Sequence, residues 1–306
     1  MFRQDRTNPS TAISNWRGRH DTLKGWPSTA VSTWLNGGLF GAAVPLTAFG
    51  GIITQYEDSG TTYRVHTFRG SGKFVVSSGT ADCDVLVVGA GGSGSTWEGS
   101  GGGGGGGVVQ YASQTVDVAS SPYTITVGTG TYGQVGASSA AIGNTVVGGG
   151  LGANENAVDD DGACGGGGGS SSGTAGTGAT GTLGYDGGDS GGYGSSKQNS
   201  GGGGGMGSAG TNGNANGTGG VGGNGLAKIG ITASTVLYGG GGGGGGQAPN
   251  AGGAGGTGGG GSAQTFDGGW TGGFGGTPNS GGGGVGHWAT GRQGGAGIVI
   301  IRYAVA

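Results

Sequence analysis

The stretch CDVLVVGAGGSGS, residues 83–95, has the residue types of a dinucleotide-binding motif. An apolar run, Val85–Val88, leads into the pattern G-x-G-x-x-G at Gly89–Gly94. Asp117 follows at about the distance of the acidic residue that binds the ribose in such folds. A cofactor site of this kind needs a helix directly after the glycines, because the pyrophosphate binds at the N-terminus of that helix.

The residues after the motif oppose such a helix. They read STWEGSGGGGGGG, and the seven glycines at 101–107 would cost about 7 kcal/mol relative to alanine in a helix. With 94 glycines among 306 residues, G-x-G-x-x-G also arises by chance. The sequence therefore predicts no cofactor, and it places Asp117 in a strand that ends in a turn.

No other group of residues predicts catalysis or a metal site. The histidines His20, His66 and His287 are scattered, and no G-x-S-x-G motif joins a strand to a helix. The run Asp159–Asp161 fits a solvated acidic loop; ion binding there stays an open alternative, although the repeat of calcium-bound β-helices is missing. We therefore expect a protein that is not an enzyme.

The composition divides the chain into regions. Only 11 of the 94 glycines precede Cys83, and they do not recur strictly every third residue, which excludes collagen. By composition alone, disorder is an alternative. The net charge of −3, without a basic stripe, disfavours nucleic acid as a partner. Cys83 and Cys164 could pair, but two thiols imply no redox compartment.

Short apolar or alternating stretches predict a mainly β fold with little α-helix. Strands are expected in GIITQYED, TTYRVHTFRGSGKFVVSSG, ADCDVLVVG and the closing GAGIVIIRYAVA, with FRGSGKFVV as a hairpin. Further short strands follow the first glycine run, which gives six to nine in all. These features indicate a short-strand β scaffold or sandwich.

Long glycine runs separate the later strands. The runs are 101–107, 165–169, 201–205, 239–246, 258–261 and 281–284. Glycine is poor in a helix and packs no side chain in a strand, so an ordered run favours the extended threefold helix, which lacks internal hydrogen bonds. We expect the runs to form a polyglycine II bundle held by hydrogen bonds between runs, with irregular loops at its ends.

The chain is predicted to have two parts, 1–50 and 51–306. Within the second part, the β scaffold is expected at 51–150, the bundle with its loops at 151–295 and the closing strand at 296–306. The first part is predicted to attach the protein to a partner or a neighbouring subunit, and packing onto the chain's own second part is the alternative. Its candidate attachment residues are Trp16, Trp26, Trp34, Leu35, Leu39 and Phe40.

Aromatic residues between the glycine runs resemble a recognition surface. Rigid aromatics among glycine, serine and asparagine are typical of antibody paratopes. Covering the edges of the bundle is the alternative role for each of them. The candidate receptor contacts are Tyr185, Tyr193, Phe266, Trp270, Phe274, His287 and Trp288.

Several of these motifs together resemble a known family. VHTFRGSGKFVV, CDVLVVGAGGSG, YTITVG and GGAGIVIIRY are similar to the glycine-rich domain of phage tail-fibre and other virion proteins, over about residues 63–303. The glycine runs with variable loops also resemble the tail-fibre tip adhesins of T-even-type phages. In that family polyglycine helices pack as a sandwich, and distal loops bind host outer-membrane proteins or glycans.

The resemblance implies a virion protein of the tail or its fibres that acts as a receptor-binding adhesin. Its partners would be other virion proteins, a host surface protein or glycan and, in a homo-oligomer such as a trimer, further copies of itself. No signal peptide or transmembrane stretch is apparent, so release by lysis is expected. The alternatives are a purely architectural virion component and an ice- or surface-binding bundle, which would need regular Thr and Ala rows.

Overall fold

The computed structural model describes most of the chain after residue 43. The described residues are 44–95, 99–154, 161–171, 174–175, 177–191, 199–228, 231–246, 251–263, 273–286 and 292–305. Two compact units, 1–44 and 45–306, divide the chain. All six candidate attachment residues lie outside the described residues.

Fourteen β-strands and no α-helix occur in the described part of the chain. The strands are β1 (Thr47–Phe49), β2 (Ile52–Asp58), β3 (Thr61–Phe68), β4 (Gly72–Ser78), β5 (Thr80–Val88), β6 (Val108–Asp117), β7 (Tyr123–Ile125), β8 (Ser139–Ala141), β9 (Asn144–Val146), β10 (Ser170–Ser171), β11 (Thr174–Ala175), β12 (Leu226–Lys228), β13 (Val236–Tyr238) and β14 (Ile298–Val305). The mainly β prediction is confirmed, with more and shorter strands than the six to nine expected.

The largest sheet has five antiparallel strands in the order β2-β3-β14-β5-β6. The apolar strands β5 and β14 form its centre. Ile301 of β14 lies opposite His66 of β3 on one side and Val85 of β5 on the other. Side chains on both faces of their apolar runs are buried, as expected for strands covered on both sides. The closing strand thus lies between strands that are more than 200 residues earlier in the chain.

A second sheet covers one face of the first. It has the order β1-β4-β7, and the hairpin β8-β9 lies beside it. The core between the layers contains fully buried large side chains. The largest of these are Phe74, Val85, Ile125, Ile301 and Tyr303. The two layers form a β-sandwich.

The predicted hairpin FRGSGKFVV is wrong. Its two strands, β3 and β4, belong to different sheets: β3 pairs with β2 and β14, whereas β4 pairs with β1 and β7. The link between them crosses from one layer to the other. Phe68 and Phe74 both enter the core between the layers, and burying both rings outweighs the local turn signal.

A smaller apolar cluster covers the opposite face of the five-stranded sheet. Leu86 and Ile300 of the sheet contribute to it, together with Cys164 and Met206 from the glycine-rich region and Tyr238 of β13. The hairpin β12-β13 supplies part of this cover. The cluster joins the sheet to the glycine-rich part of the molecule.

The glycine runs form a bundle held by backbone hydrogen bonds. In the run 101–107, which we call the central segment, the N–H groups of residues 101, 104 and 107 donate to one neighbour, the carbonyls of Ala153, Gly150 and Val147. Residues 102 and 105 donate to Gly201 and Gly204, and residues 103 and 106 donate to Gly284 and Gly281. The partner changes with a period of three residues, which is the symmetry of the polyglycine II helix.

The carbonyls of the central segment bind further neighbours. Those of residues 101, 104 and 107 accept from Ser95, Gly92 and Gly89, and those of Gly102 and Gly103 accept from Gly167 and Gly242. Six chain segments therefore surround the central one. The predicted polyglycine bundle is confirmed, and it includes residues 89–95 and 101–107, which were assigned to the β scaffold from sequence.

Two outer segments of the bundle show why pairs of glycines alternate with single larger residues. In TGGVGGNG the residues Thr218, Val221 and Asn224 face outward, while the glycines between them are buried. AGGAGGT beside it exposes Ala251, Ala254 and Thr257 in the same way. A threefold helix turns every third side chain to the same side. Such regular rows were not expected from the uneven spacing of the runs.

Candidate binding surface at the distal end of the bundle

The bundle has a sandwich end and a distal end. Residues 89–95 leave strand β5, and the central segment returns to strand β6, so Gly89 and Gly107 lie beside the sandwich. At the other end of these two segments, the N–H of Ser95 donates to the carbonyl of Gly101 at 3.2 Å. Six residues at about 3.1 Å each put this distal end about 19 Å from the sandwich.

The described residues that border five segments of the bundle, 96–98, 192–198, 247–250, 264–272 and 287–291, gather at the distal end. Ser170 donates to Gly99 at 2.9 Å, Gly245 to Ser100 at 3.0 Å and Ser200 to Gly245 at 3.1 Å. The remaining border residues join this layer through the pairs Gly191–Asn199, Gly219–Ala251, Ala263–Gly253 and Gly286–Gly243. The ends of several loops thus lie together in one layer at the distal end, which we also call the platform.

Polar side chains are buried in this distal layer. The five that are least exposed are Ser95, Ser100, Ser170, Asn199 and Ser200. The backbone N–H of Asn199 donates to Ser170 Oγ at 3.2 Å, Asn199 Nδ2 donates to the carbonyl of Asn214, and Ser95 Oγ donates to Asn154 Oδ1. These bonds tie neighbouring segments together where the glycine runs end, so the loop stems are fixed in position.

Phe274 is the candidate contact residue that lies in this region. Its ring is 64% exposed, and its N–H donates to the carbonyl of Ser262 at 3.1 Å. Ser262 precedes Ala263, one of the border residues. Phe274 is therefore an exposed aromatic side chain beside the distal layer.

Tyr185 lies at the other end. The residue is 51% exposed. Its carbonyl accepts a hydrogen bond from the N–H of Gly165, the carbonyl of Gly165 accepts from Gly204, and the carbonyl of Gly204 accepts from Gly105. Gly105 is three residues before strand β6. The structure thus separates Tyr185 from Phe274 by most of the length of the bundle.

The other five candidate contacts lie outside the described residues; they are Tyr193, Phe266, Trp270, His287 and Trp288. The described residues on both sides of each do lie at the distal end, namely 191 and 199, 263 and 273, and 286 and 292. Sequence reasoning did not identify the buried serines and asparagine of the platform. Their position just before or after a glycine run, as in QNSGGGGG and GGGGGSSSG, was the available signal.

Cys83 and Cys164 are not paired. Cys83 belongs to the core between the two sheets, and Cys164 belongs to the cluster on the opposite face of the five-stranded sheet. Burial raises the pKa of each thiol to about 12. Both thiols are therefore protonated and shielded at neutral pH.

We expect neither cysteine to react with a thiol reagent in the folded protein. Labelling with Ellman's reagent at neutral pH should give no fast reaction in the native state and two thiols per chain in guanidinium chloride. Rapid labelling of one or both thiols before unfolding would contradict their burial.

His66 is a buried residue of the sandwich core. Nδ1 donates to the carbonyl of Gly50 at 2.8 Å, which leaves Nε2 to accept from the hydroxyl of Tyr303 at 3.3 Å. Its ring meets the Phe74 ring edge-on at 5.0 Å and stacks on the Tyr303 ring at 5.6 Å. Burial lowers the pKa of His66 below 6.5, so the folded protein keeps this ring neutral.

Stability should therefore fall as the pH drops below about 6.5. The unfolded chain takes up a proton at the ordinary histidine pKa, whereas the folded chain takes it up only at lower pH, so acid favours unfolding. We expect the variant His66→Gln to show a weaker loss of unfolding free energy between about pH 7.5 and 5.5. Equal slopes for the wild type and the variant in urea titrations would contradict this assignment.

The charged groups of the described residues serve structural roles where their contacts are visible. Arg302 forms an ion pair with Asp84, donates to the hydroxyl of Tyr56 at 2.9 Å and lies over the ring of Tyr63 at 4.4 Å. Asp161, the described member of the acidic run, accepts from the N–H of Thr180 at 3.1 Å. Among the described residues, no three or more His, Cys, Asp or Glu side chains are grouped as metal ligands.

No helix in the described ranges is long and apolar enough to cross a membrane.

Comparison with known proteins gives the family of the chain. The family model of the glycine-rich domain matches residues 67–304, and the chain therefore belongs to this family. Comparison with curated proteins and with solved structures found no significant match.

Proposed function

We propose that this member of the glycine-rich domain family is a non-enzymatic virion protein of a phage tail or tail fibre. In this role it is a receptor-binding adhesin that recognises a protein or glycan on the host surface. The segments whose described ends lie at the distal end of the bundle make the contact, and residues 1–50 attach the chain to other virion proteins.

The arrangement of the loop stems carries this proposal. The described residues that border 96–98, 192–198, 247–250, 264–272 and 287–291 all lie at the end of the bundle far from the sandwich. A platform with many loops at one end of a stiff scaffold is a common arrangement for recognition. Four of these loops contain aromatic residues in their sequences.

The backbone of the bundle supports recognition by keeping the loop stems in place. Binding costs less when the contact groups are already positioned, because less conformational entropy is lost on association. Here the stems are held laterally by hydrogen bonds of 2.8 to 3.2 Å and by the buried serines and asparagine of the platform. Loop sequences can then vary without a change in the scaffold.

Binding of the purified protein to host cells tests the proposal, with inhibition of infection as a second readout. The double variant Trp270→Ala and Trp288→Ala should lose binding and keep the wild-type melting temperature. The matched control is Tyr185→Ala, an exposed aromatic at the sandwich end, which should keep binding. If wild-type protein neither binds host cells nor blocks infection, the adhesin role is wrong.

A purely architectural role is the second candidate, and one observation favours it. Phe49, Ile52 and Ile53 are each 45% exposed or more at the sandwich. These three residues lie within five positions of the chain, and exposed apolar side chains that form a patch are typical of contact surfaces with other proteins. Under this alternative, the loss of aromatic residues at the distal end would impair particle assembly rather than adsorption to the host.

A further inference from the structure

Strand β2 is an open edge of the five-stranded sheet. It pairs with β3 along its whole length, from Ile52 opposite Thr67 to Asp58 opposite Thr61, and no strand of the described residues pairs with its other side. Ile52 is 52% exposed and Ile53 is 45% exposed. The strand has no proline, lysine or bulge, which commonly prevent edge strands from pairing with other chains, and its charged residues are confined to one end, at Glu57 and Asp58.

The opposite edge of the same sheet is protected. Strand β6 has a bulge where its register with β5 shifts between Cys83 and Val85. Ser113 in this bulge has a φ of 51°, in the left-handed region. A bulge twists an edge away from further pairing. One edge of the sheet is thus blocked, while the other is regular and partly apolar.

The turn after β2 determines which of its backbone groups face outward. Ser59 and Gly60 both have positive φ values, 52° and 80°, as in a two-residue type I′ hairpin. In such a hairpin Asp58 and Thr61 form a hydrogen-bonded pair, and these pairs alternate along the strands. The N–H and C=O groups of Ile53, Gln55 and Glu57 therefore point away from β3.

The charged residues of β2 favour the antiparallel orientation for a β2 strand of a second copy at this edge. Glu57 and Asp58 lie at one end of the strand and the two isoleucines at the other. In a parallel pair the carboxylates of two copies would lie opposite each other, which is destabilising. In an antiparallel pair centred on Gln55 the two acidic ends are about 20 Å apart, at 3.4 Å per residue.

The antiparallel pair also brings complementary shapes together. Ile52 of one copy lies opposite Asp58 of the other and points to the same face of the sheet. On that face the end of β2 borders a groove of about 220 Å³ whose walls include Tyr56, Asp58, Ala233 and Thr235. An exposed aliphatic side chain and a groove thus occupy opposite ends of the same strand, as a twofold contact requires.

We infer that two copies of the chain associate through antiparallel pairing of their β2 strands, with Ile52 of each copy at the groove of the other. The pairing joins two five-stranded sheets into one of ten strands. This contact lies at the sandwich end of the molecule, so it is independent of host recognition at the distal end.

The mass of the full-length protein in solution tests the dimer. Wild-type protein should have twice the monomer mass in light scattering or sedimentation. Gln55→Pro should be monomeric and folded, because proline is tolerated on an edge where the lost N–H faces solvent. The matched control is Gln55→Thr, which also removes the glutamine side chain but keeps the backbone N–H. This variant should remain dimeric.

Charge variants at Ile52 test the register. Ile52→Glu should weaken the dimer at least tenfold, because it places a carboxylate opposite Asp58 of the other copy. Ile52→Lys should retain more dimer than Ile52→Glu, and the difference should shrink at high salt. Wild-type protein that stays monomeric, or an oligomer unaffected by Gln55→Pro and Ile52→Glu, would overturn the inference.

Discussion

Replacing Gly103 with alanine is expected to destabilise the protein by about 3 kcal/mol, the upper end of the usual cost of overpacking. Gly103 lies in the middle of the central segment, donates to Gly284 at 2.8 Å and accepts from Gly242 at 2.9 Å. A Cβ atom at this position would come closer than 3.0 Å to three backbone atoms of residues 92 and 93. Since these atoms belong to a backbone held by its own hydrogen bonds, the methyl group can be placed only by displacing a neighbouring segment.

Gly70→Ala is the matched control. A Cβ atom there would meet nothing within 4 Å, and Gly70 does not have a positive φ. Its replacement should be neutral or stabilise the protein by up to about 1 kcal/mol, through the smaller entropy of the unfolded chain. Calorimetry or denaturant titration would compare the two variants, and insoluble Gly103→Ala protein would agree with the expected loss. Similar melting temperatures for both variants would mean that the bundle adjusts easily and that close backbone packing does not hold it together.

Replacing Phe74 with alanine is expected to cost about 3–5 kcal/mol. The ring is fully buried between the two sheets, where it contacts the rings of His66 at 5.0 Å and Tyr123 at 6.3 Å. The backbone around it is bonded into two sheets and cannot collapse into the cavity.

Val75→Ala is the control for this position. Val75 is the next residue of the same strand and is 39% exposed, since side chains alternate across a strand. Its replacement should cost less than about 1 kcal/mol. Phe74→Leu should fall between the two, because leucine refills part of the volume. Equal effects of Phe74→Ala and Val75→Ala would contradict the assignment of the core to this face of β4.

The strands could be predicted because their signal is local. VLVV and IVII are apolar without a break, and both became central strands buried on both faces. In β4 the structure buries Phe74 and exposes Val75, and the apolar stretch FVV did not show which of the two faces the core. The pairing of the strands could not be predicted, and the hairpin FRGSGKFVV failed for that reason. A turn signal between two strands does not show that both belong to one sheet.

The bundle was predictable for a different reason. A run such as 239–246 has no side chains to bury, so its order depends on backbone hydrogen bonds to other segments. Glycine alone permits the close approach that these bonds require. The sequence does not show which segments become neighbours, because identical glycines carry no pattern that distinguishes one partner from another. The positions of Tyr185 and Phe274 at opposite ends follow from these pairings and could not be read from the loops that contain them.

The sequence by itself determined that DVLVVGAGGSGS ends a core strand and begins a glycine-rich segment without a helix. It also determined that the glycine runs, if ordered, need lateral partners, since this follows from the lack of side chains. Only the tertiary structure decided that Gly89–Ser95 pairs with the central segment, that six segments surround that segment and that the loop stems meet in one distal layer. These choices rest on hydrogen bonds between residues far apart in the chain, and the geometry of the whole bundle selects among partners that are chemically identical.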